Sequence, residues 1–185
     1  TSNVRFGVNA GNSIASGGDY NVLVGDEAGT AISTGDKNIA IGYQALATET
    51  SGYLNTAIGA GALQTSNGGS YNVAVGHEAG NDITTGIQNT LIGGLAGDAL
   101  TDADYNIAIG VNALGADTLG SGSVAIGRAA LEIQNFASAT TTYNTAVGYL
   151  AGNRVTTGVQ NTLIGGLAGD ATTTASNNTA LGYLA

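Results

Sequence analysis

A five-residue stretch of alternating apolar and polar or small residues returns along this chain about every seventeen positions. One copy reads Asn21-Val22-Leu23-Val24-Gly25-Asp26-Glu27-Ala28-Gly29, and the next reads Asn38-Ile39-Ala40-Ile41-Gly42-Tyr43-Gln44-Ala45-Leu46. Further copies open at Asn55, Asn72, Asn89 and Asn106, at Ser123 in place of Asn, and at Asn144, Asn161 and Asn178. The first opens at Asn3. Coils therefore start near residues 3, 21, 38, 55, 72, 89, 106, 123, 144, 161 and 178 of one solenoid domain spanning 1–185, with spacings of 18, six times 17, then 21, then twice 17. Alternation with period two predicts a short strand in each copy, with β-branched residues on one face and Asn, Ala and Gly on the other.

The copies show what each position accepts. After the Asn comes Val, Ile or Thr, and two residues later comes a column of Val24, Ile41, Ile58, Val75, Ile92, Ile109, Ile126, Val147 and Ile164. Read as a stacked core, this column would line up vertically from coil to coil. Gly follows it without exception, as Gly25, Gly42, Gly59, Gly76, Gly93, Gly110, Gly127, Gly148 and Gly165 in the inner copies. A position that never admits Ala in an Ala-rich chain predicts a structural turn with positive φ or a very close neighbour. Three residues on, an invariant Ala (Ala10 to Ala185) marks a second crowded point. A looser Gly column (Gly35, Gly52, Gly69, Gly86, Gly120, Gly158, with Ala103 and Ala175 as substitutes) predicts a second turn. Two strands and two turns then account for a coil. The column of Asn21, Asn38, Asn55, Asn72, Asn89, Asn106, Asn144, Asn161 and Asn178 fits either a ladder of stacked amides or residues that start a turn.

One coil has too few apolar side chains to offset its own ordering entropy, so the coils must stack. The expected fold is an all-β parallel solenoid of about eleven 17-residue coils, rising about 4.8 Å per coil. The 21-residue spacing places an insertion within residues 134–143, expected to protrude as a loop. Thr84–Ala99 and Thr156–Ala171 differ only at Ile87 against Val159, the mark of a duplicated block. A chain that opens on Thr1 without a signal peptide, and stops within a coil, reads as part of a longer protein or as one whose copies stack end to end.

Composition narrows the function. Gly occurs 31 times, Cys, Pro, Met and Trp are absent, and charged residues make up 9%. Disulfides and thiolate metal sites are excluded. A net charge of −9 argues against nucleic-acid binding, and no apolar run approaches a membrane helix. No catalytic, cofactor or metal constellation emerges. His77, the only His, sits at a coil position that also holds Asp26, Tyr43, Ala60, Gly94 and Arg128. Asp102-Ala103-Asp104 lacks a calcium-loop pattern, and Gly93-Gly94-Leu95-Ala96-Gly97 lacks the ending of a phosphate loop. Tyr20, Tyr71, Tyr105 and Tyr143 each precede the opening residue of a strand or its equivalent, where they pack beside a turn or stack on sugars. Asn177-Asn178-Thr179 is a formal glycosylation sequon, and the Thr pairs recur too irregularly for an ice-binding array.

The strand motif, as in Asn106-Ile107-Ala108-Ile109-Gly110, resembles the head repeat of YadA-like trimeric autotransporter adhesins. Asn144-Thr145-Ala146-Val147-Gly148-Tyr149 equally resembles repeats of viral and phage tail-fibre proteins. The resemblance covers essentially the whole chain and implies a left-handed parallel β-roll assembled as a homotrimer. It further implies that the β-branched face fills the coil interior, while Ala40, Ala57 and Ala74 let a neighbouring strand or subunit approach. The residues alone leave both assignments of the two faces open. Ala28 and Ala45, where the adhesin repeat carries Ser, and a period longer than the adhesin's favour the tail-fibre variety. The expected function is a structural or adhesive fibre segment on a virion, with the head of an adhesin on a bacterial cell surface or a self-assembling extracellular filament as alternatives, without enzymatic activity. Its partners would be its own copies and a host-surface glycan or protein receptor.

Overall fold

The computed structural model describes residues 2–15 and 17–185. Among them there is no helix, and thirteen short strands follow in order. Eleven have three residues and lie one per coil: β1 (Val4–Phe6), β2 (Val22–Val24), β3 (Ile39–Ile41), β4 (Thr56–Ile58), β5 (Val73–Val75), β6 (Thr90–Ile92), β7 (Ile107–Ile109), β9 (Val124–Ile126), β11 (Thr145–Val147), β12 (Thr162–Ile164) and β13 (Thr179–Leu181). They form one parallel sheet in chain order. Register is held coil by coil, with Val24 opposite Ile41, Ile41 opposite Ile58 and Ile58 opposite Val75. The chain is a parallel β-solenoid of about ten turns. With about 4.8 Å between strands, the sheet is roughly 48 Å tall.

The far wall of each coil is built from turns rather than from a second strand. Only β8 (Gly120–Ser121) and β10 (Thr140–Thr141) pair there, in parallel, across the coil that holds the insertion. The expected two strands per coil therefore reduce to one. Physically, left-handed residues recur too densely for a strand. Glu27, Gln44 and Glu78 have φ of 54–59°, and Leu46, Leu63, Leu114 and Leu131 have φ of 49–55°. Turn carbonyls are still satisfied between coils, as in Leu46 N–H to Ala62 O at 3.1 Å and Gly97 N–H to Ala113 O at 2.9 Å.

The interior belongs to the small face. Leu23, Ala40, Ala57, Ala74, Leu91, Ala108, Ala125 and Ala146 at the strand centres are fully buried, together with the invariant Ala and the Asn columns in the inner coils. The β-branched column points outward: Ile41, Ile58, Ile92 and Ile164 keep 36–38% of their surface exposed, and Val24, Val75, Ile109, Ile126 and Val147 are half-buried. This corrects the expectation that the β-branched residues form the stacked core inside the coil. They are stacked in register, but on the outside. The interior is already closed by methyl groups and by one or two larger side chains per coil, as with Ile83 in one coil and Leu91 with Leu100 in the next, and leaves no room for them.

One interior position obeys a packing rule. Where the residue after the invariant Ala is Gly, the residue three further on is apolar in Gly29 with Ile32, Gly80 with Ile83, Gly97 with Leu100 and Gly152 with Val155, and the rule lapses towards the end of the chain, at Gly169 with Thr172. A methyl group on Gly29 would come 2.8 Å from Ile32 Cδ1, and one on Gly97 would come 2.8 Å from Leu100 Cδ1. Where that residue is Leu46, Leu63, Leu114 or Leu131, it fills the space itself. Position three then becomes Glu49, Ser66, Asp117 or Gln134, all buried and hydrogen-bonded. The volume filled at this point of the coil is thus kept, as close packing requires.

Candidate functional site: the outer sheet face and its two edges

Every glycine of the invariant turn column has φ between +127° and +145°. A Cβ on Gly110 would lie 2.5 Å from the carbonyl oxygen of Gly127 in the next coil, and Gly25, Gly42, Gly59, Gly76, Gly93, Gly127, Gly148 and Gly165 face the glycine below in the same way. Backbone conformation and close approach both demand glycine.

The Asn column is a hydrogen-bonded ladder. Each Oδ1 accepts from the backbone N–H of the next coil's opening residue: Asn38 N to Asn21 Oδ1 at 2.9 Å, Asn55 to Asn38 at 3.0 Å, Asn72 to Asn55 at 3.0 Å, Asn89 to Asn72 at 2.9 Å and Asn106 to Asn89 at 3.0 Å. It continues through Asn161 to Asn144 and Asn178 to Asn161. Each Nδ2 donates across the coil to the second-turn carbonyl, for example Asn72 Nδ2 to Gly86 O at 2.8 Å. One amide therefore ties a coil to its neighbour and closes its own coil.

Ser123 is too short for this, and a buried polar cluster replaces the missing amide. Gln134 Nε2 donates to Asp117 Oδ2 at 2.6 Å and to Ser123 Oγ at 2.9 Å, and its Oε1 accepts from Asn144 Nδ2 at 2.7 Å. The hydroxyls of Ser123 and Thr142 pair at 2.6 Å. Burial pushes the Asp117 carboxyl above its ordinary pKa, although hydrogen bonds from Gln134 and from backbone amides act against the shift. The insertion at 134–143 is therefore not a simple protrusion. Gln134, Phe136 and Thr142 turn inward, Thr140–Thr141 joins the wall, and residues 137–139 are exposed. A residue-by-residue reading misses this cluster. Its signal was the coincidence of Ser in the Asn column with an insertion in the same coil.

Among the described residues no group of three or more His, Cys, Asp or Glu side chains could hold a metal ion. His77 is exposed and 3.8 Å from Glu78. Asp102 and Asp104 serve turns, accepting from Thr85 Oγ1 and from Ile87 N–H. A shallow cavity of about 260 Å³ is lined by Leu95, Asp98, Asn112, Gly115, Ala116, Glu132 and Ile133. There the Asp98 carboxyl is raised above its usual range by burial, with Asp82 and Glu78 adding repulsion.

The largest organised feature is the outer sheet face. Two ranks of β-branched side chains run its length, one represented by Ile39, Thr56 and Val73 and the other by Ile41, Ile58 and Val75. Each rank is flanked by an exposed edge. On the pre-strand edge, from the second coil on, the residue before the opening Asn or Ser holds φ of 49–62° wherever it is not Gly, including Tyr20, Lys37, Leu54, Tyr71, Gln88, Tyr105 and Tyr143. On the post-glycine edge stand Tyr43, His77, Val111, Arg128 and Tyr149. Packing along each edge is light: the Tyr53 and Tyr71 rings meet edge-on at 5.2 Å, and the Arg128 guanidinium lies 5.8 Å from the Tyr149 ring centre.

Comparison with protein-family models, with curated proteins and with solved structures gave no match.

Proposed function

We propose that this chain is a non-enzymatic fibre segment of the head-repeat type, resembling YadA-like adhesin heads and viral or phage tail fibres, and that it works as a homotrimer. Its place is the shaft or receptor-contacting region of a tail fibre on a virion, meeting a host-surface glycan or protein. The alternative location is a bacterial cell surface, as the head of a trimeric adhesin. The reading involves neither nucleic acid nor membrane insertion, and no helix in the described residues is long and apolar enough to cross a membrane.

One observation carries it: two ranks of side chains face outward along the sheet, one of Val, Ile and Thr and the other of Val and Ile between Phe6 and Leu181, and nothing among the described residues covers them. Singly exposed apolar residues are ordinary, whereas a continuous apolar row such as the second rank marks an interaction surface. A parallel sheet is normally covered on both sides, and here the coil covers only one.

Light scattering of the purified chain tests this. A mass of three 18.0 kDa chains is expected. A single-chain mass overturns the homotrimer, and an open series of larger masses favours a self-assembling filament instead.

A further inference from the structure

We propose that the shallow cavity beyond the invariant glycine turn, between Asp98 and Glu132, receives the side chain of an arginine from a partner protein. This surface lies past the turn from the outer sheet face, and the proposal does not rest on the homotrimer.

A ladder of polar side chains runs beside that turn from coil to coil. Glu27 Oε2 accepts from Gln44 Nε2 at 2.6 Å, Gln44 Oε1 from Gln64 Nε2 at 2.7 Å, and Gln64 Oε1 from Asn81 Nδ2 at 3.0 Å. Further along, Glu132 accepts from Asn112 Nδ2 at 3.2 Å and from Asn153 Nδ2 at 2.7 Å. Between these two runs the ladder breaks. Gln64, Asn81, Asp98, Glu132 and Asn153 each stand nine residues after the opening Asn or Ser, and in the coil after Asp98 that position is Gly115. Glu27 and Glu132 each take an amide donor from the following coil. Asp98 accepts only from backbone N–H groups.

The side chain that Gly115 lacks leaves the cavity of about 260 Å³. Gly115 does not hold the left-handed φ of the turn column, and a Cβ there would meet Asn112 O at 3.3 Å and Asp98 Oδ1 at 3.4 Å. Longer side chains occupy the same position in neighbouring coils, so the fold does not demand glycine here. Both carboxylates lean toward the level of Gly115, Asp98 from one side and Glu132 from the other through its bond to Asn112. Asn112, whose Nδ2 is committed to Glu132, keeps its Oδ1 buried without a hydrogen-bond partner. No Lys or Arg among the described residues is ion-paired with Asp98 or Glu132.

The remaining walls are apolar, with Leu95 half-buried and Ile133 43% exposed. Small-molecule sites span roughly 300–1,000 Å³, so this smaller cavity suits one long side chain. Arginine matches its chemistry. The methylene stem covers Leu95 and Ile133, and the planar fork of donors serves two carboxylates at once, which a compact, strongly hydrated ammonium does less well. Burial raises the Asp98 carboxyl, and repulsion from Asp82 and Glu78 acts in the same direction. A guanidinium offsets that repulsion.

The probe is N-acetylarginine amide, titrated into the full isotope-labelled chain at fixed ionic strength while backbone amide shifts are followed. The expected result is a saturable shift at Asn112, Gly115 and Ala116 with a millimolar dissociation constant. Gly115→Gln restores a donor of the kind Gln64 provides, and Asp98→Asn removes the unpaired charge. Each should weaken binding by about tenfold or more while the circular dichroism stays that of wild type. A lack of saturation, equal shifts around exposed Asp102, or unchanged binding in either folded variant overturns the site. Equal affinity for N-acetyllysine amide overturns the assignment to arginine.

Discussion

Asn72→Ala tests the amide ladder where it is most regular. The substitution removes an acceptor for Asn89 N–H at 2.9 Å and a donor to Gly86 O at 2.8 Å, both in a fully buried site. Both backbone groups stay buried and lose the partner that closed them. A buried unsatisfied polar group costs about 1–3 kcal/mol, so the two together cost about 2–6 kcal/mol. The Ala methyl replaces little of the lost volume and adds a small packing penalty in the same direction. With a urea slope of about 1–3 kcal/mol per molar, the midpoint should fall by about 0.7 M or more. The assay is urea unfolding followed by circular dichroism, at fixed protein concentration because subunit association would add to apparent stability. Thr85→Ala, which removes an exposed hydrogen bond to Asp102, serves as control and should change stability by less than about 0.5 kcal/mol. If Asn72→Ala is no more destabilising than that control, the column only starts a turn and the ladder account is wrong.

Three further outcomes follow from the packing and the buried acid. Gly110→Ala combines φ of +133° with a Cβ 2.5 Å from Gly127 O, and should destabilise by about 3 kcal/mol or more. Gly94→Ala should be near neutral, and equal melting temperatures for the two would refute the close-approach reading. Ile83→Ala empties the space that Gly80 leaves for it and should cost about 2–5 kcal/mol by thermal or urea unfolding, whereas a cost under 1 kcal/mol would mean the interior is not volume-limited. The Asp117 carboxyl has a folded pKa above its unfolded value, so the folded state holds its proton to higher pH. Its contribution to stability is then fully present below the unfolded pKa and is lost as pH rises through the raised folded value. Asp117→Asn should remove that loss, seen as a smaller fall in urea midpoint from about pH 3 to neutrality. Parallel pH profiles for wild type and variant would contradict the assignment.

The period, the parallel stacking and the turn glycines were all legible in the sequence, because a residue type that never varies across eleven copies reports a steric demand directly. Gly110 and Ala113 are such positions. Which face lies inside was not legible from alternation, since Val and Ile normally mark the buried side of a strand. The deciding physics was coil thickness: Asn72, Ala74 and Ala79 already close the interior of their coil, leaving room there for one larger group, Ile83. The exchange of Gly80 with Ile83 for Leu63 with Ser66 encodes that limit, but it becomes a signal only once both positions are known to share a cavity. The second strand failed for a different reason. Leu46 and Leu63 at positive φ break any extended run, and no sequence rule expects Leu in that conformation. The cluster of Asp117, Ser123, Gln134 and Thr142 joins residues 25 positions apart through an insertion, beyond the reach of local patterns.

In-register stacking of the coils is most directly measured as distance against coil number. Spin labels on cysteines at Asp26 and Arg128, six coils apart on the post-glycine edge, should sit about 29 Å from each other at about 4.8 Å per coil. Labels at His77 and Gly166, five coils apart, should give about 24 Å by the same rise. Labelled chains would be diluted with unlabelled ones so that only distances within a chain are read. Two sharp distances that scale with the number of coils are predicted, and broad or equal distances for the two pairs would contradict the solenoid.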